Sequence, residues 1–375
     1  MFLRALVLSA SVAAMAAAAP SPVAQTYDEA DFARVRKLDA HVHDFVADDR
    51  FPDAARRDGF ELLSIAVDYP DGPPLSLEVA AAYKLLARDP ARFQFATAFS
   101  MKGFGTPGWT ERTNRAIDEA VAHGAVAVKV WKNIGMVATD QAGRRVFLDD
   151  PRFDGVMRHI EDRHLVLIAH QGEPRNCWLP LDQMTTENDR SYFREHPRFY
   201  MFLHPNEPGY ETLMAARDRF VARHPRLTFV GAHMASLEWS VDRLAQFLDR
   251  YPNANVDLAA RLSNLQVQSN ADYEKVRAFM VKYQDRLLYG TDLKISPTPP
   301  DAQDVPAAGA FAREADAFWR SDWRYLATPL SQRVDAIGAD ARGLALPRSV
   351  IDKIYYANAR RIFRLAPAAA RASKG

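Results

Sequence analysis

The sequence has too few cysteines to form the disulfides that stabilise proteins with a small hydrophobic core. Among its 375 residues there is a single cysteine, Cys177, so an internal disulfide is excluded. Its 48 basic and 47 acidic residues nearly cancel, and this balance argues against a nucleic-acid partner, which requires a basic surface. No glycine-rich phosphate-binding turn follows the first predicted strand. The chain must therefore fold around a core large enough to stabilise it without cross-links.

Long apolar runs are also absent beyond the N-terminus. Arg4 precedes a stretch of small apolar residues at 5–19, and that stretch is shorter than the roughly 20 residues that span a bilayer. This pattern predicts a secretory signal peptide over residues 1–24, with cleavage after Ala24. We therefore expect a single domain over residues 25–375, without a membrane span, that is exported to the periplasm or secreted. An uncleaved N-terminal anchor is the alternative.

The remaining sequence alternates between apolar, strand-like runs and amphipathic, helical stretches. Several runs are continuous in β-branched and apolar residues, which is typical of parallel strands buried on both faces. The alternation predicts an α/β fold, a (β/α)8 TIM barrel, and an open doubly wound sheet is the alternative. The predicted strands are Lys37–His43, Phe60–Asp68, Phe93–Ser100, Ala125–Lys132, Leu165–Gln171, Leu227–Met234, Ala254–Ala260 and Arg286–Asp292.

Two longer excursions interrupt this alternation, one after strand five (Glu173 to Pro208) and one after strand eight (Leu293 to about Ala345). Both leave the C-terminal ends of strands, where barrel enzymes build their substrate pockets. The predicted helices are Thr110–His123, Arg152–Arg163, Tyr210–Arg223, Leu237–Asp249, Asp272–Tyr283 and a final helix over Arg348–Leu365.

Residues of metal-ligand type end four of the predicted strands. His41 and His43 end strand one, and because they are two positions apart their imidazoles share one face. His170 ends strand five, His233 ends strand six and Asp292 ends strand eight. The C-terminal ends of barrel strands converge on one mouth, so we expect these five side chains to meet there. Imidazoles and a carboxylate suit Zn²⁺, with Mn²⁺ or Fe²⁺ as alternatives.

The order of these motifs resembles that of the amidohydrolase superfamily. More narrowly, it is similar to the amidohydrolase-related group that includes aminocarboxymuconate-semialdehyde decarboxylase and other metal-dependent TIM-barrel hydrolases. One position departs from the pattern, since Ala235 stands where many relatives have glycine. The resemblance covers nearly the whole chain after residue 24 and rests on Asp-x-His-x-His (39–43), His-x-Gly-Glu-Pro (170–174), Gly-Ala-His (231–233), Tyr-Gly-Thr-Asp (289–292) and Asn-Ala-Arg-Arg-Ile-Phe (358–363).

The resemblance implies roles for the strand-end residues. His41, His43, His170 and Asp292 would hold one divalent metal ion, most simply Zn²⁺, and Asp292 would also accept a proton. His233 would stay off the metal and orient or deprotonate a water molecule, so it and Asp292 are the catalytic candidates. The C-terminal signature implies a helix that docks against the barrel.

A second metal ion is the alternative within the same resemblance. Binuclear members use a carboxylated strand-four lysine to bridge two ions, with the strand-six histidine on the second. Lys129 lies in predicted strand four and would take this role, and His233 would then be a ligand. One ion is favoured, because the surrounding motifs resemble the mononuclear group.

Three residues at or beyond strand ends are candidates for binding the substrate: Lys129, Trp131 and Arg175. Lys129, if not carboxylated, supplies a cation for an anionic group, and Arg175 has the fork geometry that holds a carboxylate bidentately. Trp131 offers a flat apolar wall. Loop packing and surface ion pairing are the alternative roles for each of them.

These features predict a metal-dependent hydrolase that acts on an ester, lactone or amide bond of a small molecule. The first alternative is a metal-dependent, non-oxidative decarboxylase of a small carboxylic acid, as occurs in the resembled group. Such decarboxylases are mostly cytoplasmic, so the predicted signal peptide favours hydrolysis. The second alternative is a metal-bearing binding barrel without catalytic activity. The sequence leaves the oligomeric state open, a homodimer included.

Overall fold

The computed structural model describes residues 26–70, 72–297 and 309–366. The predicted signal peptide lies outside these residues, so the cleavage site and the export of the protein stay predictions. Among the described residues, no helix combines the length and the apolar character that a membrane crossing would need.

In the described part of the chain, nine parallel strands form one curled sheet in the order β8-β7-β6-β5-β4-β3-β2-β1-β9. Strands β1 to β5 and β7 are buried along their whole length, as their apolar sequences predict. The strands are β1 (Lys37–Asp44), β2 (Phe60–Ile65), β3 (Phe93–Ala98), β4 (Ala127–Val130), β5 (Val166–Ala169), β6 (Thr228–Gly231), β7 (Ala254–Asp257), β8 (Leu287–Leu288) and β9 (Lys294–Ile295).

Backbone hydrogen bonds join the two ends of the curled sheet. The chain leaving β8 runs beside β1, where Ala40 N donates to Tyr289 O at 3.0 Å and Asp292 N donates to His41 O at 2.8 Å. The short strand β9 then pairs with the C-terminal end of β1. This closure and the order of the strands confirm the predicted (β/α)8 barrel.

Helices surround the sheet, and β10 (Ser331–Val334) and β11 (Ala339–Arg342) form a separate antiparallel hairpin. The helices are α1 (Arg50–Arg57), α2 (Leu75–Arg88), α3 (Trp109–Ala122), α4 (Asn133–Met136), α5 (Asp154–Asp162), α6 (Glu187–Glu195), α7 (Tyr210–Arg223), α8 (Ala232–Ala235), α9 (Val241–Arg250), α10 (Leu262–Ala271), α11 (Tyr273–Lys282), α12 (Ala310–Ala327), α13 (Arg348–Asp352) and α14 (Asn358–Ile362). A π-helical turn, Lys353–Ala357, joins α13 to α14, so the predicted final helix is nearly continuous.

The two predicted excursions are the insertions of this barrel. The one after β5 contains α6 and several single 3-10 turns, and the one after β8 contains α12 and the β10–β11 hairpin. The sequence patterns do not predict α1, α2, α6, α10 or α12. Helix α10 shows why, because its buried face includes Asn264, Gln266 and Ser269, which give no apolar periodicity.

Two apolar cores lie on either side of the sheet. The outer core fills the space between strands and helices, and the inner core fills the barrel with residues such as Leu63, Ile65 and Ile168. Ile362 and Phe363 from the end of the chain belong to the inner core, so α14 closes the bottom of the barrel. The Asn358 side chain fixes this helix by donating to Leu287 O at 2.8 Å. This leaves the opposite end, the mouth, for the site.

Candidate metal centre and active site

An extra residue in β1 directs the two histidines of the first strand. Asp39 pairs with Leu62 and Val42 with Ser64, so three steps along β1 match two steps along β2. Such a bulge changes which face a side chain occupies. Ala40 accordingly packs in the inner core and Val42 in the outer core. His41 and His43, on either side of Val42, face the interior at the mouth.

Both histidines direct the same ring nitrogen toward one carboxylate. His43 Nε2 lies 3.1 Å from Asp292 Oδ1, and His41 Nε2 lies 3.4 Å from the same oxygen. One potential ligand atom from each of the three residues lies within 4.8 Å of the other two. The structure therefore brings together three of the four predicted metal ligands.

The other nitrogen of each ring is held by an acceptor. His41 Nδ1 donates to Asp257 Oδ2 at 2.8 Å, and His43 Nδ1 donates to Ile65 O at 2.7 Å. Because Nδ1 carries the proton in both rings, Nε2 keeps its lone pair. Second partners of this kind fix the tautomer and orientation of metal-binding histidines. The donor set therefore fits a divalent metal ion.

Sequence reasoning did not identify Asp257. Its side chain is 2 % exposed, and besides His41 it accepts the backbone N–H of His233 at 2.8 Å. A signal was present, because Asp257 ends β7 as Asp292 follows β8, and a carboxylate at the end of an apolar run needs a buried partner. Asp257 thereby links the histidines of strands one and six.

Asp39 holds the segment after β8 against β1. This buried carboxylate accepts the backbone N–H of Thr291 at 3.0 Å, the Thr291 hydroxyl at 2.7 Å and Trp319 Nε1 of α12 at 2.9 Å. Thr291 precedes Asp292, so the same contacts fix the position of the Asp292 carboxylate relative to His41 and His43 of β1.

His233 lies in α8, the short segment after β6, whose backbone is a left-handed turn and not a regular helix. Residues 233 to 236 all have φ of +56° or +57°, the left-handed region that costs about 1–2 kcal/mol per non-glycine residue. The turn brings Ala235 so close to Gly231 that a Cβ on Gly231 would lie 2.4 Å from that of Ala235. His233 Nδ1 donates to Ala259 O at 2.9 Å, which leaves Nε2 as the free nitrogen. Strain of this kind persists where the surroundings enforce it, often at active sites.

His170 lies beside His233 and not beside Asp292. The two ring centroids are 4.3 Å apart, and His170 Nε2 donates to Gly172 O at 3.0 Å, which leaves Nδ1 free. The clusters of potential ligand atoms among the described residues do not include His170. Its role as the fourth ligand stays a prediction.

Comparison with known families decides the relationship that the motifs suggested. The family model described as amidohydrolase matches residues 13–365. The chain belongs to the amidohydrolase family. No curated protein matches this amidohydrolase.

Solved structures resemble this amidohydrolase at low identity. An uncharacterized TIM-barrel protein from Bordetella bronchiseptica has 17 % identity and a TM-score of 0.50, covering 84 % of this chain and 80 % of that one. A 2,6-dihydroxybenzoate decarboxylase from Rhizobium has 16 % identity and a TM-score of 0.49, covering 88 % and 99 %. A dihydroorotase from Campylobacter jejuni has 12 % identity and a TM-score of 0.45, covering 88 % and 84 %. The Bordetella match supports the TIM-barrel fold.

The protonation states at the amidohydrolase mouth favour metal binding. Burial lowers the pKa of His233 to about 3 and also lowers those of His41 and His170, so these rings are neutral at pH 7. Burial alone would raise the pKa of Asp292, but a proton on the imidazole of His233, His43 or His41 would stabilise the carboxylate, and the pKa of Asp292 therefore lies well below its usual range. Neutral imidazoles and an ionised carboxylate are the forms that bind metal.

Lys129 lies at the base of this cluster. Its Nζ is 3.3 Å from His41 Nε2, and burial lowers its pKa to about 8 although Asp257 and Asp292 oppose that shift. His41, His233 and Asp257 form a second cluster of potential ligand atoms in the same place. Lys129 therefore lies beside His41, which belongs to both clusters, and it lines none of the cavities described below; its bridging role stays a prediction. Its substrate-binding role stays a prediction.

Two cavities flank the cluster at the mouth of the amidohydrolase barrel. The strand 7–8 cavity, about 360 Å³, includes Asp292 itself and is lined by Asn188, Leu258, Ala260, Leu262, Ser263, Gln266, Gly290, Thr291, Leu293, Phe318, Ser321, Asp322, Val334 and Ala336. The strand 4–5 cavity, about 510 Å³, is lined by Trp131, Lys132, Asn133, Met136, Val137, Arg145, Glu173, Tyr192, Arg198, Phe199, Met201, His204 and Glu207.

The remaining predicted substrate residues differ in position. Trp131 lines the strand 4–5 cavity and meets Tyr69 edge-on at 4.8 Å. Arg175 lines neither cavity, and its guanidinium lies 4.3 Å above the ring of Trp239. Trp131 could therefore contact a substrate bound in the strand 4–5 cavity. The Arg175 guanidinium would have to move away from the Trp239 ring before it could bind a carboxylate. Both roles stay predictions.

Proposed function

We propose that this amidohydrolase is a metal-dependent hydrolase that cleaves an ester, lactone or amide bond of a small molecule. The observation that carries the proposal is the convergence of His41 Nε2, His43 Nε2 and Asp292 Oδ1, with an oriented, neutral His233 beside them. Export, which we propose from residues 1–24, agrees with a substrate met outside the cytosol.

His41, His43 and Asp292 would hold the ion, with His170 as a fourth ligand by the family pattern. The ion is most simply Zn²⁺, which polarises a carbonyl oxygen and lowers the pKa of a bound water molecule to about 7. Asp257 and the Ile65 carbonyl keep the two imidazoles in the tautomer that can bind it.

His233 and Asp292 would move the protons of the reaction. The Ala259 carbonyl holds the His233 Nδ1–H, so Nε2 is available to accept a proton from the attacking water molecule. The half-buried Asp292 carboxylate borders the strand 7–8 cavity and can pass a proton to the leaving group. A substrate in this cavity would therefore lie next to Asp292.

A non-oxidative decarboxylase is the second candidate. It is favoured by the strand 4–5 cavity, where Lys132 and Arg145 supply cations that a carboxylated substrate needs, although each is already paired, with Glu173 and Glu207. Metal-loaded protein should be screened against esters, lactones, amides and aromatic carboxylic acids, with release of acid and of CO₂ both monitored. Acid release supports the proposal, and CO₂ release from an aromatic acid without hydrolysis of any ester, lactone or amide contradicts it.

The division of roles is tested by replacing His233. In His233→Asn, kcat should fall by a factor of about 10² to 10⁴, the usual contribution of a general base, while one equivalent of metal stays bound. His159→Asn is the matched control, because His159 pairs with Asp118 on the outside of the barrel. If the metal content of His233→Asn falls together with activity, His233 is a ligand and the binuclear alternative with Lys129 replaces the mononuclear one.

A further inference from the structure

The strand 7–8 cavity has an unusual charge composition for a pocket beside a metal centre. Among the described residues that line it there is no lysine, arginine or histidine, and their only ionisable groups are the carboxyls of Asp292 and Asp322. The strand 4–5 cavity contains Lys132, Arg145, Arg198 and His204. Away from a metal ion at Asp292, a carboxylate-bearing ligand would therefore find a side-chain counter-charge in one cavity only.

Apolar side chains form most of the remaining wall beside Asp292. Leu258, Leu262, Leu293, Phe318 and Val334 all line the cavity. An anionic group that packs against this wall, away from the metal centre, loses hydration that no described side-chain cation restores, and this cost is large for an unpaired ion. An uncharged ligand gains from the same wall, because it buries apolar surface.

Asp322 is the buried polar group in this wall. It lies on α12, 6 % exposed, and its Oδ2 accepts a hydrogen bond from the Tyr289 hydroxyl at 2.8 Å. Its second oxygen, Oδ1, has no hydrogen bond to any part of the chain that the structure describes. Asp322 lines the cavity, and Oδ1 is the oxygen of its carboxyl group that is left for a ligand.

We propose that the strand 7–8 cavity selects an uncharged, largely apolar substrate, and that Asp322 Oδ1 donates a hydrogen bond to an oxygen atom of that substrate away from the scissile bond. This inference rests on the proposed hydrolase function, since it places the bond to be cleaved beside Asp292. In support, burial raises the pKa of Asp322 well above its usual range, and this shift favours the protonated carboxyl that a hydrogen-bond donor requires.

Aryl acetates test the selection by charge. The compounds are compared in pairs, in which one phenyl acetate carries a neutral acetyl group on the ring and the other carries a carboxylate at the same position. Pairs with the substituent in the ortho, meta and para positions are all measured. We expect kcat/KM to favour the acetyl compound by about tenfold or more in the best isomer. Equal or better hydrolysis of the carboxylated compound by the wild-type protein would overturn the proposal.

Two substitutions at Asp322 separate a neutral hydrogen bond from a charge. Asp322→Asn keeps a donor facing the cavity and should change KM for the acetyl substrate by no more than about threefold, whereas Asp322→Leu should raise it by about tenfold with a smaller change in kcat. Wild-type behaviour of Asp322→Leu would contradict the role of Asp322. A loss in Asp322→Asn equal to that in Asp322→Leu would show that the charge matters instead.

A gain of preference provides a test that does not depend on loss of function. Asn188 is exposed and lines the cavity, so Asn188→Arg adds the missing cation at little cost in stability. It should move the preference toward the carboxylated substrate by about threefold or more. Asn206→Arg adds the same charge at another exposed position outside the cavity and should leave the preference unchanged.

Calorimetric binding distinguishes failure of this inference from failure of the hydrolase proposal. Diacetylbenzene and acetylbenzoate isomers contain no ester and are titrated into metal-loaded protein. Tighter binding of the neutral isomer that is lost in Asp322→Leu would support the cavity assignment even if no ester were hydrolysed. Hydrolysis without any discrimination by charge, in binding or in kcat/KM, would leave the hydrolase proposal standing and overturn this one.

Discussion

The two sides of the barrel mouth use the same residue types in different ways. On the side of strands one, seven and eight, the Asp257 carboxylate is 2 % exposed and holds an imidazole. On the side of strands four and five, the Glu207 carboxylate is 39 % exposed and pairs with Arg145 at the surface. Apolar side chains such as Val137 and Phe202 are about half exposed there. Buried pairs position chemistry, whereas exposed pairs contribute little to stability. Substitutions should therefore have unequal effects on the two sides.

The largest effect is expected from removing the two strand-one histidines. His41→Ala/His43→Ala should bind no stoichiometric metal and should lose a factor of about 10³ or more in kcat/KM, because a Lewis-acid ion supplies several kcal/mol. Elemental analysis of the purified protein measures the metal. His123→Ala/His159→Ala removes two imidazoles from the outer helices and should retain about one equivalent. If His41→Ala/His43→Ala retains its full metal content, the metal does not bind on the side of strands one, seven and eight.

The next largest effect is expected from Glu238, a buried carboxyl without an imidazole partner, and it is compared with Asp257, which has one. Burial raises the pKa of Glu238 to about 7, although Arg261 and the Arg175 N–H, which donates to Oε1 at 2.8 Å, oppose the shift. Burial acts on Asp257 in the same direction, but His41 brings its pKa below the usual value. The Glu238 carboxyl, which has no imidazole partner, should therefore make the free energy of unfolding depend on pH.

The sign follows from the raised pKa of Glu238. Both folded and unfolded forms are protonated below pH 4.5, and between about pH 4.5 and 7 only the unfolded form ionises, so stability falls as the pH rises. Between pH 4.5 and 8, the free energy of unfolding of Glu238→Gln should improve relative to wild type by about 3 kcal/mol. Urea denaturation at both pH values measures this, and a constant difference would mean that Glu238 ionises normally in the folded protein.

A smaller effect is expected at Asp257. Asp257→Asn removes the acceptor that fixes the His41 tautomer, and metal affinity should fall about 10- to 100-fold, as is usual for such partners. Competition with a chelator measures the affinity. Asp118→Asn breaks another Asp–His pair, with His159 at 2.7 Å on the outside of the barrel, and should leave metal affinity unchanged. If metal affinity falls by a similar factor in Asp257→Asn and Asp118→Asn, the buried Asp–His pair has no special role in metal binding.

The smallest effect is expected on the strand 4–5 side. Lys132→Met/Glu173→Gln removes a part-buried ion pair from the cavity without leaving an unpaired charge. We expect kcat/KM for a neutral ester to change by no more than about threefold, since the pair does not contact the metal cluster. A loss comparable to that of Asp257→Asn would place the substrate in the strand 4–5 cavity and would reverse the comparison.

The sequence predicted the barrel and the convergence of its strand ends because both follow from periodicity and topology. Eight apolar runs specify the strands, and parallel strands bring His41 and Asp292 to one end although they are far apart in the chain. The same reasoning does not reveal the β1 bulge, since one extra residue leaves the pattern of apolar residues nearly unchanged. It is this bulge that places Ala40 and Val42 on opposite sides of the sheet.

Other parts of the site depend on tertiary contacts that leave little trace in the sequence. The polar helix α10 is stabilised by packing and not by its own propensity. The left-handed turn at residues 233–236 contains no glycine, and Ala235 has φ of +56° where many relatives have glycine. Asp257 and Asp322 look like ordinary acidic residues until the fold buries them. Residue types at strand ends were thus predictable, and the partners that orient them were not.

The helix that closes the bottom of the barrel has a consequence for biosynthesis. Ile362 and Phe363 complete the inner core, so the interior stays open to water until these two residues, which follow all the strands of the barrel, have been made. Domains fold as units when the residues of their core become available, and exposed apolar surface invites aggregation until then. A nascent chain of this protein therefore carries an unfinished hydrophobic interior until α14 has been made, and a premature stop codon before Ile362 would release a barrel without the helix that closes it.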